Sequence, residues 1–269
     1  MGKEPLPELV SLSISAWSFK ARFALKHNGI KYRTTPYMPL FGEFFLRLRL
    51  GDWKSKVTVP VMFTPRDGVL HQSYDIARWS DTHTTRPEAE RLFPEGKETE
   101  IRSWNAKSDT VLYFGRQCLV DSLLSDPAQL RKTVPGSLRW LGPLGVALLR
   151  LIVTRLQAKY RAEASSTSLA QALAVLREAQ SVLRAQGGGG GSLRGRYLVG
   201  GAFSYADIAV AVAAQTVKPL GPPYASSPRP PLPQFQAYQE EFADLLEWRD
   251  GVFTQFWPMG AERKAGKAQ

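Results

Sequence analysis

A chain of 269 residues with 43% hydrophobic content is long enough for one large or two small domains with a buried core. It has no uninterrupted apolar window of about 18 residues, so no membrane-spanning helix is expected; its single cysteine, Cys118, excludes an internal disulfide, and three histidines offer no metal-ligand cluster. The net charge of +11 points to an anionic surface or ligand, although charge speaks to association and not to fold. The opening MGKEPLPELV lacks the apolar run and small-residue site of a secretory signal, and Leu6 stands where a myristoylation site wants Ser or Thr. A reducing, cytoplasmic setting is the expectation.

In chain order, Glu8 to Ser13 alternates as a short strand, with Leu9 and Ser11 opposed to Val10 and Leu12. Trp17, Ala21, Ala24 and Leu25 then recur at helical spacing, and Asn28-Gly29 closes that helix. Ser15 sits at the strand-to-helix turn. Ile30 to Pro36 returns as a strand, and a strand, helix, strand unit of this length fits a right-handed parallel crossover. Leu40 to Leu50 is ambiguous between helix and irregular structure. Val57 to Phe63 is strand-like, but Pro60 cannot donate to a ladder and marks a strand start or edge. Pro65 to Gly68 supplies a turn and Val69-Leu70 the partner strand. Gln72 to His83 reads as a helix capped by Ser73.

Pro87 to Gly96 is a polar connector and the expected boundary between domains 1–86 and 97–269. Beyond it every strong periodicity is helical: Glu98 to Leu124, with a bend expected at Gly115, then Gly142 to Arg161 and Ser168 to Ala185. Gly187 to Gly191 reads as a flexible linker, and the proline-rich stretch from Pro219 to Pro233 as an extended loop. Phe235 to Arg249 is the last expected helix, and Arg263 to Gln269 a polar tail. The most specific local signal is VGGAFSYADIAVAVAAQTV, residues 199–217. Ser204 and Asp207 form a capping box, Phe203 and Ile208 are placed as its hydrophobic staple, and the apolar helix that follows belongs in the centre of an all-α core.

Taken together these elements look like the soluble glutathione transferases, and the resemblance covers nearly the whole chain. Ser15-Ala16-Trp17-Ser18 at the first turn is similar to the serine-type classes. Val59-Pro60 resembles the family's cis-proline step. Leu70-His71-Gln72-Ser73 followed by Ile76 resembles its Glu/Gln-Ser pair, and Phe203, Ser204, Asp207 and Ile208 resemble the structural cap of its helical domain.

The resemblance implies an α/β thioredoxin-like N-terminal domain, an all-α C-terminal domain, and glutathione as co-substrate, with no metal. In that reading the hydroxyl of Ser15, or alternatively Ser18, stabilises the thiolate. The backbone beside the Val59-Pro60 step pairs with the cysteinyl part, and Gln72 and Ser73 hold the γ-glutamyl carboxylate. The physics is compatible, since a hydroxyl at a helix N-terminus lowers the pKa of a thiol that otherwise sits near about 8.5. The implied reaction adds the thiolate to a hydrophobic electrophile, a detoxifying conjugation by a cytoplasmic homodimer; ether cleavage or dehalogenation would use the same thiolate. Ala16 in place of the usual proline, and the enlarged helical region, keep a non-catalytic ligand-binding or scaffold protein as the alternative. The turn lacks cysteine, which argues against disulfide exchange, and Trp17 where zeta-type members carry one argues against their isomerase chemistry.

Several other residues have two readings. Leu144, Leu148, Leu151, Ile152 and Leu156 share one helical face, and residues 127–162 contain seven basic and no acidic side chains. That segment is either a core-facing helix with a basic outer side or one in weak contact with anionic membrane or an acidic partner. Trp104, Tyr113 and Phe114 either line an electrophile site facing Ser15 or pack a core. Trp248, Phe253, Phe256 and Trp257 either close that site or pack the last helix. Cys118 reads as a buried, inert thiol. No nucleic-acid-binding module is recognisable.

Overall fold

A computed structural model describes residues 5–38, 41–134, 136–186, 192–224 and 231–257. The expected glycine linker and C-terminal tail lie outside these residues, as does much of the proline-rich loop. Strand β1 (Glu8–Ser11), helix α1 (Ala16–His27) and strand β2 (Arg33–Pro36) form the expected crossover, with β1 and β2 parallel and Leu9 opposite Thr34. The ambiguous stretch is helix α2 (Phe41–Leu50). Strand β3 (Val61–Phe63) starts directly after Pro60 and pairs antiparallel with β1 and with β4 (Val69–Leu70), giving the sheet order β2-β1-β3-β4.

Alternation along β1 feeds two cores, because helices cover both sides of the sheet. Leu9 and Met62 meet Ala21 and Leu25 of α1 and Ile76 of helix α3 (Ser73–Thr82), while Val10 and Val61 meet Leu46 of α2. At the start of α3 the cap position is Gln72, one residue before the Ser73 cap that the sequence reading expects, and Ser73 is the first helical residue. The connector is less polar than its composition implied: Leu92 and Phe93 are buried, the Leu92 N–H donates to Asp81 Oδ1 at 2.7 Å, and the Leu92 carbonyl accepts from Tyr205 N at 2.9 Å.

The rest is helical: α4 (Glu98–Ser125), α5 (Pro127–Thr133), α6 (Gly136–Arg139), α7 (Pro143–Lys159), α8 (Arg161–Ser165), α9 (Leu169–Ala185), α10 (Tyr205–Ala213), α11 (Pro233–Gln236) and α12 (Ala243–Phe256). Every residue of α10 is buried, and its capping box is present. Phe203 lies in the same core as Ile208, but its ring stacks on Phe256, centroids 3.7 Å apart. The main core runs from Phe19 and Phe23 of α1 through α10 to Phe253 and Trp257, with Phe19 stacked on Trp257 at 4.8 Å. Those C-terminal aromatics therefore pack the last helix against α1.

Packing gives Gly115 a role in the helical half and corrects the sequence reading of α7. Gly115 marks a close approach: a β-carbon there would lie 2.6 Å from Thr216 Cγ2. Gly115→Ala is expected to lower stability by about 1–3 kcal/mol, read as a shift in the urea midpoint, because Thr216 is itself held by a 2.9 Å bond to the Ala213 carbonyl. In α7 the buried face carries Gly145, Leu149 and Val153, not the leucine row picked out in the sequence; Leu144 and Leu151 are 64% and 44% exposed. That helix is apolar on two sides, so periodicity alone could not say which side faces α4. No helix among the described residues is long and apolar enough to cross a membrane.

Candidate functional site

Strand directions place four separate sequence signals at one end of the sheet. β1 runs toward Ser11 and hands over to the Ser15 turn. β3 runs the opposite way, so Val59 and Pro60, just before its first residue, lie at the same end; β4 runs with β1 and delivers Gln72 and Ser73 there as well. Ser15, Val59, Pro60, Gln72 and Ser73 thus share the C-terminal edge of β1, and the Val59-Pro60 peptide is cis.

Ser15 is the N-cap of α1, half-buried, with backbone φ −76° and ψ 127°; its Oγ accepts from Ser18 N at 3.3 Å. Accepting that bond leaves its hydroxyl hydrogen as a donor. Ser18 differs: it is fully buried, and its Oγ accepts from Leu12 N at 3.2 Å, pinning the strand end to the helix. The turn is further held by Arg22, which donates to the Ser13 and Ser18 carbonyls at 3.0 and 3.3 Å. At α3, Gln72 is exposed and Ser73 buried, and the first intrahelical bond runs from Ile76 N to Gln72 O at 3.0 Å. The N–H groups of the first turn therefore have no helical acceptor and suit a carboxylate.

A second layer joins this edge to α4. Lys20 is completely buried, its ammonium bonded to Asp109 Oδ1 at 2.8 Å, Ser108 Oγ at 2.7 Å and Asn105 Oδ1 at 3.2 Å. Burial pulls the Lys20 pKa down and the Asp109 charge opposes that shift. The same Asp109 oxygen accepts from Trp17 Nε1 at 2.9 Å, so two residues past Ser15 the helix is anchored to α4. Trp17 stacks on Tyr113, centroids 5.4 Å apart, and Arg116 lies over Tyr160, Trp17 and Tyr113 at 3.7, 4.9 and 5.3 Å.

Of the three aromatics left open on α4, Tyr113 stacks on Trp17 of α1, Trp104 is buried in the main core, and Phe114 packs on Phe235. Lys20, Asp109 and Arg116 were missed by sequence reasoning. A charge between Phe19 and Ala21 on an apolar face was the one available signal. Cys118 is buried, its thiol pushed up to about 11 by desolvation, which fits an inert thiol. No group of three or more metal-ligating side chains occurs among the described residues.

Against known proteins, residues 14–83 match the family model "Glutathione S-transferase, N-terminal domain" and residues 162–251 match "Glutathione S-transferase, C-terminal domain", together more than half of the chain. A comparison with curated proteins returns no match. Among solved structures, glutathione transferase GSTFuA3 from Phanerochaete chrysosporium is 16% identical with a TM-score of 0.58, over 94% of this chain and 97% of that one. A glutathione S-transferase from Methylobacillus flagellatus, solved with glutathione bound, is 17% identical with a TM-score of 0.53, over 93% and 95%. One from Methylobacterium radiotolerans, in complex with glutathione sulfonate, is 16% identical with a TM-score of 0.51, over 93% and 91%.

A small mixed sheet followed by a helical half, with these two matches, defines the class of protein. The chain belongs to the glutathione transferase superfamily.

Proposed function

We propose that the chain is a glutathione-dependent transferase that adds glutathione thiolate to a hydrophobic electrophile. The observation that carries this reading is the convergence of Ser15, Val59, Gln72 and Ser73 on one sheet edge. Ser15 donates its hydroxyl hydrogen to the sulfur, aided by the N-terminus of α1, and needs no base because it is not the nucleophile. Gln72, Ser73 and the first turn of α3 hold the γ-glutamyl carboxylate, and the Val59 backbone aligns the tripeptide. Ser15 is favoured over Ser18 because Ser18 is sealed by the bond from Leu12. Most of the rate gain then comes from holding the thiolate and positioning it.

Residues 1–86 act as the glutathione-binding domain and 97–269 as the helical domain, in a cytoplasmic homodimer with a detoxifying role. Retention on immobilised glutathione together with conjugation of a generic aryl halide tests the proposal; retention without turnover favours a scaffold. One observation favours that second reading: Lys159 reaches Glu43 at 2.8 Å and Glu163 pairs with Lys56, so α7 and α8 are tied to the segment preceding Val59. Weak contact with anionic membrane rests on Leu144 and Leu151 being exposed beside Arg150 and Arg155. Flotation with anionic vesicles at low salt is the check, and failure to co-float removes it.

A further inference from the structure

We propose that Arg116 makes this site selective for aromatic electrophiles that carry an acidic group, the acid pairing with the guanidinium while the ring lies along Trp17 and Tyr113. The inference rests on the transferase reading and names the substrate class it serves. Arg116 is half-buried, and its contacts are the faces of three rings; it has no hydrogen bond or ion pair among the described residues. Its donors are not sealed either, since none of its nitrogens is among the buried polar atoms lacking a partner.

The carboxylates around it are already engaged. Asp109 holds Lys20 at 2.8 Å, Glu163 holds Lys56, and Glu43 holds Arg47 at 2.9 Å and Lys159 at 2.8 Å. Four cations share three carboxylates before Arg116 is counted, so its charge is the local surplus. A guanidinium over three rings keeps its donor nitrogens available for bidentate pairing with a carboxylate, and partial burial strengthens that pairing. Arg116 lies 4.9 Å from the ring of Trp17, a residue in the same first turn of α1 that Ser15 caps, which ties the acid's site to the turn of the proposed thiolate. The competing partner is Glu163, whose second oxygen is buried and unpartnered.

The test uses the matched pair 4-chloro-3,5-dinitrobenzoate and 4-chloro-3,5-dinitrobenzamide. In each the thiolate sulfur bonds to the ring carbon that bears chlorine, the C–Cl bond breaks, chloride leaves with the electron pair, and the thiol proton goes to solvent. After division by the uncatalysed rates, kcat/KM is expected to favour the acid by about tenfold, the size of one charge-assisted pair. Arg116→Gln should remove that ratio and Arg116→Lys should restore part of it. Loss of both substrates in equal proportion in Arg116→Gln would mean the cage is only packing, and would overturn the proposal.

Tryptophan-fluorescence titration with the unreactive 3,5-dinitrobenzoate and 3,5-dinitrobenzamide gives a second readout independent of turnover. A preference for the acid that disappears in Arg116→Gln supports the arginine even if neither chloride is consumed, in which case the transferase reading alone falls. Equal binding in the wild type overturns the inference. So does a preference that arises only in Glu163→Gln, because Glu163 would then be the partner of Arg116.

Discussion

Ser15→Ala is expected to lower kcat for conjugation by about 10²–10³-fold, the usual loss when one donor to a developing or resident anion is removed. The Ser15 hydroxyl is half-exposed at the head of α1 and free to donate, so the alanine variant removes the sulfur's side-chain donor and leaves only the helix N-terminus. The variant also loses an N-cap, costing about 1 kcal/mol of stability. Ser15→Thr separates the two effects, since it restores a hydroxyl for both and should recover much of the rate. Ser18→Ala leaves the partly buried Leu12 N–H without its acceptor and should show mainly in the urea midpoint, by about 1 kcal/mol. Steady-state kinetics on the three variants decide: a rate loss confined to Ser18→Ala would move the sulfur's partner to that residue.

The second large effect concerns folding. Asp207 is completely buried, and its carboxylate accepts from Leu198 N and Ser204 N at 2.8 Å each and from Ser204 Oγ at 2.9 Å. Asp207→Ala orphans two buried backbone donors at once, for an expected loss of about 4 kcal/mol and a fall of roughly 10 °C in Tm. Desolvation, partly opposed by these donors, pushes the Asp207 pKa up from 3.8 to about 7. The folded state therefore holds the proton more tightly than the unfolded state. The stability this group contributes is complete below about pH 4, declines as pH rises, and is lost once pH passes about 7. Urea midpoints across that window should show the decline in the wild type and a flatter profile in Asp207→Asn.

Much of the architecture was legible because its signals are local. The β1–α1–β2 unit, the turn at Pro65 to Gly68, and the capping box at Ser204 each rest on spacing or turn chemistry within a few residues. Within the site, Ser15, Val59, Gln72 and Ser73 were readable as separate signals, but only strand direction brings them to one edge. What could not be read depends on which face meets which. Helix α2 is apolar on several sides, with Leu46 buried and Phe44, Phe45 and Leu48 exposed, so its period was blurred. Helix α7 has the same ambiguity. Phe203 lies in one core with Ile208, and its ring stacks on Phe256, fifty-three residues away, a partner of which local spacing carries no trace. Lys20 with Asp109, and Arg116 with its rings, are contacts between α1 and α4 or between α4 and Tyr160, which the linear sequence does not encode as a motif.

The account stands on the state of a sulfur atom at the α1 N-terminus, and the pKa of the thiol in the protein–glutathione complex measures it most directly. Thiolate absorbance followed against pH is predicted to give a value at least one unit below the free thiol's, about 8.5, in the wild type, and to return most of the way to that value in Ser15→Ala. The same pKa in both proteins, or a wild-type value no lower than that of free glutathione, would contradict it.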